Sequence, residues 1–154
     1  MLNNQGQADV RNVMTGKDGQ VFIYKKDGSQ VFLAECEEFT ATISVTNQSY
    51  QPVGSAQEYS TMSGFNVKIT LSEIVIRDDA MLNDLLEDLQ EGWAPMWDFQ
   101  GKARQRSGKE ERMVFRDCVP DGDIDLMNLQ PGETMKRSWT LNVNSIPEQL
   151  SKLI

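Results

Sequence analysis

Alternating apolar and polar side chains form the dominant pattern along this chain. Between positions 38 and 46 every second residue, beginning with Phe39, is apolar, and hydroxyl side chains fill the positions between them. The segments 65–76 and 135–144 alternate in the same way. Because successive side chains of a strand point to opposite faces, each segment predicts a half-buried β-strand with one polar face.

One segment, 79–91, has a helical period instead. Its apolar residues recur every three or four positions and define one stripe, namely Met81, Leu82, Leu85, Leu86 and Leu89. Asp78 is suited to the N-cap position, and Gly92 is suited to end the helix in the left-handed conformation. The pattern predicts an amphipathic helix that packs on a sheet.

The order of elements is strands, one helix, then strands, within a length typical of one domain. This order predicts a single domain over 1–154 with a mainly β (α+β) fold. We expect an antiparallel β-sandwich or half-barrel with one packed α-helix. The polar segment 1–20 reads as an N-terminal arm, and 147–154 reads as a short amphipathic C-terminal tail.

The segment 47–64 has no hydrophobic period and predicts a long loop. It contains more apolar surface than a simple linker needs, contributed by Tyr50, Val53, Tyr59 and Met62. Long loops with such anchors are often functional. Two interpretations remain open: a binding arm that becomes ordered on a partner, or a loop folded back on its own core.

The composition excludes several functions. The net charge is −8, so the surface repels phosphate backbones and argues against sequence-specific nucleic-acid binding. Histidine is absent, which removes the commonest general base and metal ligand. Cys36 and Cys118 form no CxxC motif and indicate a reduced compartment, although a disulfide between them remains open. No signal-peptide pattern or bilayer-length apolar run occurs, so we expect cytoplasmic synthesis and no membrane insertion.

No motif supports catalysis, a metal or a cofactor. The sequence at 121–125 imitates half of an EF-hand loop, but Leu126 and Gly132 occupy positions that require glycine and glutamate. Trp93, Trp97 and Trp139 could form a sugar-binding platform, yet each belongs to a patterned element, which favours core packing. Basic residues around 104–112 are interleaved with acids and favour a salt-bridged hairpin. We therefore expect a protein that acts through its surfaces and is not an enzyme.

Several segments together resemble a known family. They are RNVMTGKDG at 11–19, the strand 37–46, the segment ending at Gly64, and 129–147 with QPGE and RSWT inside it. The chain resembles the XkdM-like tail tube proteins of contractile-tailed phages and phage-like bacteriocins, over nearly its whole length. The likeness implies a tail-tube-like fold whose subunits form hexameric rings that stack into a tube.

The resemblance also implies roles for particular residues. The segment 47–64 would reach the adjacent ring through Tyr50, Val53, Tyr59 and Met62. The polar faces of three strands would line the lumen, with the candidates Thr40, Thr42, Ser44, Thr70, Ser72, Ser138, Thr140 and Asn142. Lys68 and Lys136 place positive charge on that face, so either acids nearby pair with them or the face is turned outward.

The implied partners are further copies of the chain, a sheath protein, a baseplate initiator and a tail terminator. Genomic DNA would be present only in transit, and the tube would be assembled in the host cytoplasm before joining a virion or particle tail. Two other functions remain open: a monomeric ligand-binding β domain and a type VI secretion-like tube subunit. The sequence does not separate phage, bacteriocin and secretion system, or contractile and non-contractile tails.

Overall fold

A computed structural model describes residues 14–25, 28–33, 36–75 and 81–152. Strand accounts for 55% of the chain, and a single helix lies among the described elements. In chain order these are β1 (Gly19–Tyr24), β2 (Gln30–Phe32), β3 (Cys36–Tyr50), β4 (Tyr59–Ile74), α1 (Leu82–Glu91), β5 (Trp97–Arg104), β6 (Glu110–Pro120), β7 (Lys136–Val143) and β8 (Glu148–Ser151). The predicted mainly β fold with one helix is confirmed.

The strands form one hydrogen-bonded antiparallel sheet rather than two separate ones. Its order is β2-β1-β5-β6-β7-β4-β3, and β8 pairs with β6. Strand β6 connects the two halves because it changes partners along its length. It pairs with β5 from Glu110 to Cys118, but with β7 only from Cys118 to Pro120.

A β-bulge marks the point where β6 changes partner. Asp117 adopts a positive φ of 56°, and the register between β5 and β6 shifts there. The Asp117 amide donates to Asp98 Oδ1 at 3.0 Å, and its carbonyl accepts from the Asn144 amide at 3.2 Å. Bulges bend a strand and increase its twist. The sheet therefore curls instead of continuing flat.

The curled sheet closes over an aromatic core. Phe39 on β3 lies with its ring centroid 6.3 Å from that of Phe99 and 6.1 Å from that of Phe115, across the sheet. Trp97 and Trp139 pack edge to face at 5.9 Å, and both are fully buried. Of the half-barrel and sandwich alternatives, the single curled sheet is closer to a half-barrel. Trp97 and Trp139 are core residues, as predicted, whereas Trp93 is 69% exposed, so the prediction of core packing is wrong for that residue.

Helix α1 uses only part of its apolar stripe to cover the sheet. Met81, Leu82 and Leu85 are buried, whereas Leu86 and Leu89 remain exposed. Gly92 ends the helix with φ 84°, as predicted. The predicted start at 79 and the Asp78 cap lie outside the described residues, and in the described part the helix begins at Leu82 with Met81 at the N-cap.

The two predicted terminal segments are more structured than expected. Residues 148–151 of the predicted short amphipathic tail at 147–154 form β8, which pairs with β6. A strand added to β6 satisfies its backbone groups where β7 no longer reaches. Of the predicted arm 1–20, residues 1–13 lie outside the described part. Gly16–Asp18 forms a 3-10 turn, and β1 begins at Gly19.

Candidate assembly surfaces

The segment 47–64 is a β-hairpin rather than a loop, so that prediction is corrected. Asn47 pairs with Met62 and Tyr50 pairs with Tyr59, leaving only residues 51–58 as the connection. A register shift after Thr46 skips Ser63 and breaks the alternation. Both faces of these strands are exposed, so no buried side chains impose a period of two.

The end of this hairpin projects from the rest of the sheet. Strand β7 pairs with β4 only from Val67 onward, so residues 44–66 pair with each other alone. We call residues 44–66 the ribbon. Its seven residue pairs span about 24 Å at the usual rise of a strand. An isolated two-stranded hairpin is marginally stable in water, so a ribbon of this length favours a partner.

All four predicted contact residues lie on the ribbon and are exposed. Tyr50 and Tyr59 stack at 5.7 Å near its end, Val53 lies fully exposed in the connection, and Met62 faces Asn47. The sequence interpretation missed Val45 and Phe65, which oppose each other on the ribbon and are about half exposed. Both residues alternate with polar residues in the sequence, as core residues do. Their exposure follows from the structure, because the pairing of β7 with β4 stops at Val67 and no described residue covers them.

The predicted polar faces form one continuous surface. Thr40, Thr70 and Thr140 lie side by side in register across β3, β4 and β7. The remaining candidates, Thr42, Ser44, Ser72, Ser138 and Asn142, occupy the same face of these strands. The opposite face carries the buried residues Val67, Ile69, Leu71, Trp139, Leu141 and Val143. We call the polar surface the hydroxyl face. The structure therefore brings all eight predicted residues together.

Both lysines on the hydroxyl face have acidic partners. Lys68 Nζ lies 3.7 Å from Asp121 Oδ2, and Lys136 Nζ lies 3.1 Å from Glu37 Oε2. The side chains in these pairs are roughly half exposed. Of the two alternatives left by the sequence, pairing with nearby acids is the one the structure shows. The pairs neutralise both lysines of the hydroxyl face.

A buried charged pair, which the sequence did not reveal, holds one end of β4 and β7. Glu73 and Arg137 are 3% and 2% exposed, with Oε1 and Nη1 3.9 Å apart. The Trp139 indole N–H donates to Glu73 Oε1 at 3.2 Å. The Arg137 guanidinium also donates to the carbonyls of Asp125 and Leu126. This network anchors the long connection before β7 to the sheet.

The described residues offer little for chemistry. No group of three or more His, Cys, Asp or Glu side chains within the described part could hold a metal ion. Neither Cys36 nor Cys118 forms a disulfide, and burial raises the pKa of the Cys118 thiol to about 12, with Asp98 and Asp117 adding to the effect. Across the described residues, no helix is long and apolar enough to span a membrane.

The predicted salt-bridged hairpin is present between β5 and β6. Glu110 forms ion pairs with both Lys102 and Arg112, at 3.3 and 3.0 Å. These partly exposed pairs are still in contact with water, so each contributes little stability. They do, however, account for part of the basic cluster without any nucleic-acid partner.

The fold is similar to solved tail structures. The SPP1 tail tube protein matches with a TM-score of 0.67 at 10% identity, over 92% of this chain and 81% of that chain. A chain from the tail of an empty gene transfer agent particle with C6 symmetry matches with a TM-score of 0.63 at 10% identity, over 90% and 100%. A chain from the sheath-tube complex of an extracellular contractile injection system matches with a TM-score of 0.65 at 14% identity, over 92% and 95%.

Sequence comparison gives the family. No curated protein sequence matches the chain. A family model described as phage tail tube protein matches residues 6–146, which is most of the chain. The chain belongs to the phage tail tube protein family.

Proposed function

We propose that this tail tube subunit assembles into hexameric rings that stack around a central lumen. The observation that carries the proposal is the ribbon, which projects about 24 Å and leaves Val45, Met62 and Phe65 about half exposed. Exposed apolar side chains on a marginal two-stranded element are stabilised when a partner covers them. Copies of the same chain are the partner that a tube provides.

Two further features support a ring. The sheet ends at the edge strands β2 and β3, and edge strands readily pair with another chain. A contact between different surfaces of identical subunits generates a closed ring when the rotation closes, or a filament when it does not. Stacked rings use both kinds of contact. The similar gene transfer agent tail has C6 symmetry, which supports six subunits per ring.

We propose that the ribbon reaches the adjacent ring through Tyr50, Val53, Tyr59 and Met62. We also propose that the hydroxyl face lines the lumen. Most of its hydroxyl groups are exposed, and the pairs Lys68–Asp121 and Lys136–Glu37 neutralise its two lysines. These four side chains offer no unpaired cation to a phosphate backbone. DNA could therefore move along this surface without being bound.

The particle would add other partners. We propose that a sheath protein, a baseplate initiator and a tail terminator contact the tube, since similar chains come from a sheath-tube complex, a baseplate and a terminating cap. The tube would be assembled in the host cytoplasm and then form part of a virion or particle tail. It would either conduct genomic DNA or be empty. A structural role of this kind requires neither an active site nor a cofactor.

Negative-stain electron microscopy of the purified chain at increasing concentration tests the proposal. We expect rings or stacked tubes above a threshold concentration. If the protein stays monomeric at every concentration, and a baseplate initiator does not trigger growth, the proposal is wrong. A monomeric ligand-binding domain would then be the better interpretation. A type VI secretion-like tube would also give rings, and would be separated from a phage tail by its partners.

A further inference from the structure

We propose that an acidic face at the end of α1 binds the basic tip of the β5–β6 hairpin of a second copy. The acidic helix face comprises Glu87 and Glu91, which lie one turn apart on α1. The basic tip comprises Arg104, Arg106 and Lys109. The inference rests on the proposed function only in taking the partner to be another copy of this chain. The proposed contact between the acidic helix face and the basic tip does not involve the ribbon.

The basic tip carries three cations that form no ion pair with the described residues. Lys102 and Arg112 pair with Glu110, and Arg116 pairs with Glu148. Arg104, Arg106 and Lys109 are exposed and form no ion pair with any described residue. In a chain of net charge −8, three adjacent unpaired cations are an unusual local excess.

The tip is also rigid, which makes it suitable as a contact. The Gln105 amide donates to the Lys109 carbonyl at 2.7 Å and closes the turn. Gly108 has φ 97°, a conformation that glycine adopts without strain. The three basic side chains therefore start from a fixed backbone, so less conformational entropy is lost when they bind.

The acidic helix face has the opposite charge and an unfavourable electrostatic environment. Helix α1 contains Asp84, Glu87, Asp88 and Glu91 but no basic residue in its last turn. Glu87 and Glu91 are exposed and form no ion pair within the described residues. Acids near a helix C-terminus are disfavoured by the helix dipole, whereas cations are favoured there. A cation from another molecule would relieve this.

Exposed apolar side chains lie at the same end of α1 as the acidic helix face, although not on the same side of the helix. Leu89 is 58% exposed and Trp93, just past the helix end, is 69% exposed. The planar guanidinium of arginine stacks on indole rings, and the aliphatic stem of arginine covers apolar side chains. The basic tip therefore complements the charge of the acidic helix face, and arginine is a residue type suited to the apolar side chains near it.

The two surfaces lie at opposite ends of β5. Trp93 precedes the start of β5 at Trp97, and the basic tip begins at its end, Arg104. An eight-residue strand separates them by about 24 Å. The tip of one chain is therefore remote from its own helix. Two different surfaces that can meet only between molecules generate a head-to-tail contact, the kind that rings and stacked rings require.

Charge reversal on each side tests the contact. We expect Glu87→Lys with Glu91→Lys, and separately Arg104→Glu with Arg106→Glu, to raise the concentration needed for tube sedimentation about tenfold or more. A 1:1 mixture of the two variants should recover assembly, because each reversed surface then meets a complementary one. The variant with all four substitutions should recover it as well.

Assembly of the wild type should weaken between 0.15 and 1 M salt as the screening length falls from about 8 to 3 Å.

The matched control reverses two acids on another exposed surface, Asp123→Lys with Glu133→Lys. It changes the net charge by the same amount as the helix variant and should assemble like the wild type. Lysines in the last turn of α1 favour the helix dipole, so the helix variant should keep its native circular dichroism. Normal assembly of either reversed variant, or no recovery in the folded four-substitution variant, would overturn the inference.

Disulfide trapping tests the same contact without requiring tubes. In a Cys36→Ser background, Gln90→Cys and Ser107→Cys chains are mixed at high concentration and oxidised. We expect a covalent dimer that joins the two different variants, and little product from either variant alone. Absence of the mixed dimer would count against the inference even if tubes form. A mixed dimer without tubes would support the contact and contradict the tube.

Discussion

At the scale of single residues, the buried pair of Glu73 and Arg137 shows most clearly which contacts the sequence could and could not predict. The alternation of β7 placed Arg137 on the same face as Trp139, and the structure confirms that position. The sequence could not indicate its partner, because Glu73 lies on another strand and no local pattern links the two. Burial of opposite charges is tolerated only when each has partners, and the indole and two carbonyls complete the set here.

Removing one member of the pair should destabilise the domain. We expect Arg137→Ala to lower the free energy of unfolding by about 3 kcal/mol, because it leaves a buried carboxylate uncompensated. Urea denaturation followed by tryptophan fluorescence measures the change. Arg116→Ala is the control, since Arg116 and Glu148 form an exposed pair at 3.4 Å. Equal effects in the two variants would contradict the structural role of Arg137.

The two thiols should differ sharply in reactivity. Cys118 is fully buried with a pKa raised to about 12, whereas Cys36 is partly exposed. At pH 8 only about one part in ten thousand of the Cys118 thiol would be ionised. We therefore expect a chromogenic disulfide reagent to titrate one thiol per native chain and two after unfolding. Rapid reaction of two thiols in the native protein would contradict this burial.

At the scale of elements, the ribbon shows why sequence patterns predict some strands and miss others. The alternation of 65–76 and 135–144 predicted part of β4 and β7, because one face of each carries buried side chains. The alternation of 38–46 predicted the strand β3 as well, but the prediction that this strand is half-buried is wrong, since no β3 side chain is buried and Ile43 and Val45 are more than half exposed. The segment 47–64 is also β-structure, but neither face is buried in the chain itself. A strand whose burial depends on a partner carries a pattern fitted to that partner, so periodicity along one chain does not reveal it.

Polar substitutions on the ribbon should prevent tube assembly while changing the stability of the folded subunit only slightly. Val45 and Phe65 face each other and are about half exposed. We expect Val45→Ser with Phe65→Ser to change the free energy of unfolding by only about 1 kcal/mol, the scale of a cross-strand pair, while tube sedimentation is lost. The control is Gln48→Ser with Thr61→Ser, an opposed polar pair on the same ribbon. Tubes that form normally from the apolar-pair variant would show that the ribbon is not a contact.

At the scale of the whole molecule, the class of fold could be predicted but the path of the sheet could not. The order of strands and helix gave a mainly β domain. The curl depends on the bulge at Asp117 and on the change of β6 from β5 to β7, which bring together residues far apart in sequence. The pairing of β8 with β6 could not be predicted either, because the short segment 148–151 has no alternation of apolar and polar residues.

The lumen assignment predicts a size-dependent accessibility in assembled tubes. With Cys36→Ser as background, a cysteine introduced by Thr140→Cys should react with both small and large maleimides in the monomer. In the tube it should still react with the small reagent but not with a polymer-linked one, because the lumen admits only small solutes far from its ends. Equal labelling of tubes by both reagents would place the hydroxyl face outside.

The projection of the ribbon from one end of the domain has a consequence for growth. If the proposed tube forms and every copy extends its ribbon in the same direction, one end of the tube would display unoccupied ribbons and the other end the surfaces that receive them. Such a filament has polarity, and its two ends present different chemistry. A component that starts the tube must then imitate one end and a component that stops it must imitate the other, so neither could substitute for its counterpart.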